Sequence, residues 1–83
     1  MIEIYLLEQL AAFRKYGTLL SASEHLHLTQ PTLTRSMQKI EELAGVPLFI
    51  REHERLSLNE NGLLLADYAQ RILDEECEML DRV

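Results

Sequence analysis

Apolar residues recur at helical spacing along most of this 83-residue chain. The spacing predicts a first helix over Met1–Tyr16. Its expected inner face comprises Ile4, Leu7, Leu10 and Ala11, with Phe13 beside them. Gly17 can end this helix, because glycine readily takes the left-handed conformation. Thr18 can then cap a second, short helix, Leu19–His27.

The third predicted helix has two sharply different faces. Thr29 is a good N-cap, Pro31 fits the first turn, and nothing interrupts the helix before Gly45. Apolar residues recur at steps of four, three and four and predict one buried face: Leu33, Met37, Ile40 and Ala44. The opposite face carries hydroxyls, amides and two cations: Gln30, Thr32, Thr34, Arg35, Gln38 and Lys39. It has no acid before Glu41.

Such a face suits either plain solvation or the reading of DNA. Hydroxyls, amides and cations are the groups that contact base edges and phosphates in a major groove. The helix alone leaves both interpretations open. A short helix, the tight turn His27-Leu28-Thr29 and a longer helix together form a helix-turn-helix pattern. In such a unit the second helix enters the groove and the first crosses the backbone, which favours DNA.

A small hairpin is predicted after the third helix. Gly45 and Pro47 end that helix. Leu48–Arg51 and Arg55–Leu58 are β-prone runs on either side of a polar tip, and they predict a two-stranded wing. An isolated hairpin is marginally stable, so we expect it to pack on the helices through its apolar residues: Leu48, Phe49, Leu56 and Leu58.

A long final helix is predicted from the N-cap Asn59 onward. Gly62 weakens it unless a neighbour approaches closely there. Leu63–Val83 contains no Gly or Pro and is too long for a domain of this size to cover. The helix either folds back on its own domain or pairs with a second copy. We expect pairing, through Leu65, Ala69, Ile72, Leu73, Cys77 and Leu80.

The charge distribution bears on a nucleic-acid partner. The net charge is −6, which argues against DNA at first sight. However, the 24 residues from Glu60 hold seven acids and two bases, whereas Met1–Asn59 hold seven acids and six bases. The net charge of residues 1–59 is therefore close to zero, and we expect this part of the chain to have weak non-specific affinity for DNA. At 47% hydrophobic residues, the chain can form one small core.

The order of elements and their residues resemble the N-terminal domain of LysR-type transcriptional regulators over essentially the whole chain. The matching segments are Gly17-Thr18-Leu19, Ala22–Leu26, Leu28–Arg35, Ile40-Glu41, Leu43–Phe49, Arg51 and Leu58–Gly62. The resemblance implies a mainly α fold, a winged helix-turn-helix with a three-helix core and a long dimerisation helix. It also implies a homodimer that binds an inverted-repeat operator in double-stranded DNA.

The resemblance also implies roles for individual residues. Residues 1–58 would form the DNA-binding domain and residues 59–83 the linker and dimerisation helix. The expected DNA contacts are Thr29, Gln30, Pro31, Thr32, Thr34, Arg35, Gln38 and Lys39 on the third helix, and Arg51 and Arg55 on the wing. Thr29 can alternatively act only as a cap, and Arg35 can alternatively pair with a nearby acid.

Several positions depart from the family pattern. Leu20 and Ser21 stand where a polar or basic pair is common, and Glu52 and Glu54 stand at the wing tip where Thr, Gly or Arg are usual. Acids beside phosphates repel them, so binding should depend mainly on the third helix. Family members carry a larger effector-binding domain after the linker helix. We therefore expect this chain to be an excised domain, with any small-molecule effector bound by the missing part; a natural stand-alone protein is the alternative.

Other functional classes are less consistent with the sequence. A winged helix used as a protein-interaction module is the main alternative, since the acidic balance would suit it. An enzyme is not expected, because no glycine-rich phosphate loop and no nucleophile beside a base can be found. The lone Cys77 and the histidine spacing suggest neither a disulfide nor a metal, and no cofactor is expected. With no signal peptide or apolar span, we expect a cytoplasmic protein without membrane contact.

Overall fold

Four helices and one two-stranded antiparallel sheet make up the computed structural model, which describes residues 1–83. In chain order the elements are α1 (Ile4–Tyr16), α2 (Leu19–Leu26), α3 (Gln30–Ala44), β1 (Phe49–Glu52), β2 (Arg55–Leu58) and α4 (Glu60–Arg82). The predicted winged helix-turn-helix with a long last helix is confirmed. No helix is both long enough and apolar enough to cross a membrane.

The helix boundaries follow the predicted capping residues. The side chains of Thr18, Thr29 and Asn59 accept backbone N–H groups at the starts of α2, α3 and α4. Gly17 and Gly45 end α1 and α3 in the left-handed conformation, as predicted. The ends of two helices differ from prediction: α1 begins at Ile4 because residues 1–3 are not helical, and α2 ends at Leu26 because His27 is left-handed, with φ +57°. The first strand is shifted by one residue, since it covers Phe49–Glu52 and not the predicted Leu48–Arg51.

The core forms around α1, which packs against α2, α3 and α4. Leu6, Leu10 and Phe13 are among its fully buried side chains. Ile4 is 38% exposed, so its predicted place in the inner face is wrong, whereas Leu6, which was not predicted, is buried completely. Because α1 contacts three helices, its buried surface is wider than the single stripe that the spacing indicated.

The hairpin is held at its base by both neighbouring helices. Glu41 of α3 accepts the backbone N–H of Leu48 at 2.8 Å, and the Asn59 amide donates to the carbonyl of Pro47 at 2.9 Å. The rings of Phe13 and Phe49 lie 6.1 Å apart and pack the hairpin on α1. Leu48 and Leu56 are buried in the core, and Phe49 and Leu58 pack against it, so the wing is attached through its apolar residues, as predicted.

The first half of α4 completes the same core. Gly62, Ala66 and Ala69 are buried where α4 crosses the domain, and Arg14 of α1 pairs with Asp67 and donates to the Leu63 carbonyl at 3.1 Å. The predicted boundary between residues 58 and 59 thus runs through a continuous core. Ala69 is 0% exposed, so its predicted contact with a second copy is wrong. Its small side chain instead allows α1 and α4 to approach closely.

The second half of α4 extends away from the core. Between Asp74 and Val83 every side chain except the half-buried Glu76 is exposed, and this includes Cys77. At 1.5 Å per residue the 23-residue helix is about 34 Å long, and the longest extent of the molecule is 46 Å. The alternative in which α4 folds back over its full length is therefore wrong.

Candidate nucleic-acid interface

The start of α3 is exposed by the tight turn between α2 and α3. The turn is closed by hydrogen bonds from the N–H groups of His27 and Leu28 to the carbonyls of Glu24 and Ser23. Ala22 and Ser23 are buried, and their small side chains allow this close crossing. As a result α3 buries one side in the core and presents Gln30 and Pro31 to solvent at its first turn.

Three of the predicted residues are linked by hydrogen bonds at the N-terminus of α3. The Thr29 hydroxyl accepts the N–H of Thr32 at 3.3 Å and donates to the Thr32 hydroxyl at 2.9 Å. Arg35 donates to the same Thr32 oxygen at 3.3 Å. A hydroxyl has one hydrogen, so Thr29 uses its donor inside the protein, whereas Thr32 keeps its own hydrogen for an outside acceptor.

The solvent-facing residues of α3 form two adjacent rows along the helix. Gln30, Thr34 and Gln38 follow one another at steps of four, and Pro31, Arg35 and Lys39 form the parallel row. All are exposed except Thr34, which is half-buried. The buried residues of the helix, Leu33, Ser36, Met37 and Ile40, lie on the other side. The structure therefore brings the six polar residues and Pro31 together on one surface, hereafter the α3 surface.

An acid at the N-cap of α1 lies beside this surface. Lys39 donates to the Tyr5 hydroxyl at 3.4 Å, and its ammonium is 4.0 Å from a carboxylate oxygen of Glu3. Both partners come from the start of α1. The sequence of α3 could not predict this contact. Glu3 comes close to Lys39 only because α1 crosses α3.

The strand register separates the two arginines of the wing. Arg51 pairs with Leu56, and Arg55 pairs with Glu52. Side chains directly opposite each other in an antiparallel pair share a face, and neighbours along a strand alternate. Arg51 thus lies on the face that carries the buried Leu56, and Arg55 lies on the other face with Glu52. The sequence predicted that both arginines lie on the wing, but it could not predict which face of the hairpin each one occupies.

The tip of the wing is a two-residue turn, His53-Glu54, in which both residues have positive φ angles, +50° and +61°. This is the signature of a type I′ hairpin turn, which normally uses Asn and Gly. Neither residue was singled out as conformationally unusual by the sequence. The turn places Glu52 and Glu54 at the outer end of the wing, where both are exposed.

The exposed apolar side chains of α4 differ in part from the predicted set. Ile72 and Leu80 are exposed as predicted, whereas Leu65 and Leu73 are half-buried. The structure adds four exposed apolar side chains that were not predicted: Leu63, Leu64, Tyr68 and Met79. Beside Leu64 and Tyr68 lies an apolar groove of about 210 Å³, whose other walls are Ala44, Val46, Leu48, Asn61 and Leu65.

Comparisons with known proteins give a consistent answer. Residues 4–63 match the family described as "Bacterial regulatory helix-turn-helix protein, lysR family". A probable RuBisCO transcriptional regulator of Emiliania huxleyi is 31% identical over 80 residues, which is 93% of this chain and 26% of that protein. The transcriptional regulator MetR of Escherichia coli K12 is 32% identical over 80 residues, which is 96% of this chain and 25% of that protein. The chain thus spans about a quarter of the length of these regulators.

Solved structures agree with this comparison. The DNA-binding domain of CbnR, solved as a complex with DNA, superposes with a TM-score of 0.89 at 33% identity. The match covers 98% of this chain and 93% of that one. The BenM DNA-binding domain in complex with its benA site 1 DNA also gives a TM-score of 0.89, at 25% identity, and the match covers 98% of this chain and 94% of that one.

Proposed function

The chain belongs to the lysR family of bacterial regulatory helix-turn-helix proteins, and from this premise we propose that it is the DNA-targeting domain of a transcription regulator. It binds a specific double-stranded sequence by placing the α3 surface in the major groove. The single observation that carries the proposal is this surface itself. Six polar side chains, none of them acidic, lie together on an exposed helix face whose opposite side is anchored in the core. The domain performs no catalysis, and a cytoplasmic location follows from its DNA partner.

The side chains of α3 divide into base-reading and phosphate-binding roles. Gln30 and Arg35 have the length and the multiple donors to contact base edges. The single hydrogen bond from Arg35 to Thr32 orients the guanidinium and leaves most of its five N–H groups free. Thr32 and Thr34 present methyl and hydroxyl groups, and Gln38 and Lys39 are placed for backbone contacts. Thr29 contributes mainly as the cap that shapes the first turn.

The wing contributes a smaller share of the binding free energy. Arg51 and Arg55 lie on opposite faces of the hairpin, so a DNA backbone on one side meets one of them at a time. Glu52 and Glu54 repel phosphates at the tip. Specificity therefore depends mainly on α3.

We further propose that two copies pair through α4 and bind an inverted repeat. Tyr68, Ile72 and Met79 are exposed and lie on one side of α4, because steps of four and seven residues return to nearly the same direction on a helix. In an antiparallel pair centred on Ile72, Met79 of one copy meets Leu65 of the other and covers the apolar groove that Leu65 and Tyr68 line. Burial of these side chains stabilises the pair by about 25 cal/mol per Å² of apolar surface. A two-fold axis between the copies matches the symmetry of an inverted repeat.

The DNA proposal is tested by selection from a pool of randomised duplexes, followed by fluorescence anisotropy of the enriched sequence. We expect an enriched inverted repeat whose log affinity falls with log salt by roughly 0.9 per phosphate contact. A folded protein that enriches no sequence and binds no duplex at low salt would contradict the proposal. That outcome would favour the interaction module, for which the acids of the wing would be the first residues to change.

A further inference from the structure

Lys39 does not stand alone at the edge of the α3 surface. Its ammonium lies 3.4 Å from the hydroxyl oxygen of Tyr5 but 6.0 Å from the centre of the Tyr5 ring. The ammonium is therefore beyond the hydroxyl end of the ring and not above its face. The carboxylate of Glu3 approaches the same ammonium to 4.0 Å. Three side chains from two helices thus meet at one exposed point.

The hydrogen bonding at this point has only one direction. An ammonium has three donors and no acceptor, so Lys39 donates and the Tyr5 oxygen accepts. The phenol keeps its own hydrogen, which is free for another acceptor. Tyr5 is 42% exposed, and the side chain of Lys39 is 51% exposed, so both groups keep donors that are open to solvent. A phosphate oxygen is an acceptor that both groups can bind together.

Glu3 opposes the binding of a phosphate at this point. Its side chain is 62% exposed and accepts no hydrogen bond from Lys39, although the charges are close enough to attract each other. An exposed pair of this kind contributes little to stability. Its carboxylate competes with a phosphate for the ammonium and repels the phosphate directly. It therefore lowers DNA affinity without being needed for the fold.

We propose that Tyr5 and Lys39 form a two-donor site for one phosphodiester group at the edge of the α3 surface, and that Glu3 weakens this site. The proposal rests on the proposed DNA-binding function. It extends that function to the start of α1, because Tyr5 and Glu3 lie outside the helix-turn-helix and the wing. Tyr5 is a further DNA contact, and Glu3 is a residue that sets affinity through Lys39.

The test compares Tyr5→Phe, Glu3→Gln and Lys39→Gln on the duplex selected by the unmodified protein, at several salt concentrations. We expect Tyr5→Phe to weaken binding about threefold to tenfold, the range of one hydrogen bond. Lys39→Gln should weaken binding and reduce the salt slope by roughly 0.9, whereas Lys39→Arg should keep the slope. Glu3→Gln should strengthen binding about twofold to fivefold, on the scale of one exposed charge pair.

Coupling and a charge-matched control separate the local effect from general electrostatics. In the Lys39→Gln background, the Glu3→Gln effect should shrink to the part that comes from direct repulsion of the phosphate, and the Tyr5→Phe effect should also be smaller, since one of the two donor groups is gone. Glu8→Gln changes the net charge equally but lies on the side of α1 that faces α4, beside Gln70 and Leu73. It should leave affinity nearly unchanged.

Two results would overturn the proposal, and they differ from failure of the proposed function. If the unmodified protein selects and binds its duplex but Tyr5→Phe binds equally well, Tyr5 is not a contact. If Glu8→Gln strengthens binding as much as Glu3→Gln, the effect of Glu3 is not local. Failure of the unmodified protein to bind any duplex would instead refute DNA binding itself, and this site with it. Melting curves of the variants should coincide with that of the unmodified protein.

Discussion

The carbonyl oxygen of Leu48 lies directly against Gly62, so closely that no Cβ could be accommodated at position 62. Such a Cβ would also lie 2.9 Å from the Cδ2 atom of Leu58. The Leu48 carbonyl cannot easily move aside, because it accepts the N–H of Asn59 at 2.9 Å. This contact sets the distance between the base of the wing and the first turn of α4.

We expect Gly62→Ala to destabilise the domain by about 1–3 kcal/mol, the usual cost of overpacking. Helix propensity alone would favour Ala by about 1 kcal/mol, so even the sign of the change is informative. Urea unfolding followed by circular dichroism measures it. Asn61→Ala, at the exposed neighbouring position, is the control and should be neutral or slightly stabilising. A more stable Gly62→Ala protein would contradict the close packing of Leu48 on α4.

The sequence was sufficient for features that depend on nearby residues. The caps Thr18, Thr29 and Asn59 act within one turn, and the buried and exposed faces of α3 follow from its spacing. Features created by long-range packing could not be predicted. The apolar stripe of α4 does not reveal that Ala69 faces α1, and the proximity of Glu3 to Lys39 exists only after α1 crosses α3.

The turn at the wing tip is expected to be strained. His53 and Glu54 both adopt positive φ angles, which cost roughly 1–2 kcal/mol for each residue with a Cβ. The double substitution His53→Asn with Glu54→Gly supplies residues that prefer a type I′ turn. We expect it to stabilise the domain by about 1 kcal/mol and to slow hydrogen exchange of the hairpin amides. Unchanged exchange would contradict the turn assignment, and Ser57→Gly, in the adjacent strand, should have the opposite effect.

Arg35 is expected to read a base. Arg35→Ala should weaken binding to the selected duplex by about 1–3 kcal/mol and relax the preference at one position of each half-site. Anisotropy on a panel of single-base variants measures both effects. Lys15→Ala removes one positive charge at the end of α1, away from the α3 surface, and should leave the base preference intact. An equal loss of affinity on every duplex would instead identify Arg35 as a phosphate contact.

The wing arginines are expected to contribute unequally. Arg55 lies directly opposite Glu52, whose carboxylate competes with phosphate for the guanidinium, whereas Arg51 lies opposite the apolar Leu56. Arg51→Ala should therefore weaken DNA binding more than Arg55→Ala. In addition, Glu52→Gln should strengthen binding about twofold to fivefold, as expected for one exposed charge pair. This gain should shrink in the Arg55→Ala background to the part that comes from direct repulsion of phosphate, and an undiminished gain there would show that Glu52 does not act through Arg55.

The proposed pairing of two copies makes the exposed end of α4 the most informative place to change. Met79 is 56% exposed, so Met79→Glu should leave the fold and the melting curve of the monomer intact. In an antiparallel pair centred on Ile72, the introduced carboxylate would enter the apolar groove beside Leu65 of the other copy. Desolvating this carboxylate should raise the dimer dissociation constant at least about tenfold, as measured by sedimentation equilibrium.

The control is Gln70→Glu, which adds the same charge on the side of α4 that faces α1 and should leave the dimer dissociation constant unchanged. If Met79→Glu dimerises as tightly as the unmodified protein, the copies do not pair over the full length of α4. The spacing between the two α3 surfaces would then have to arise from a different alignment of the helices.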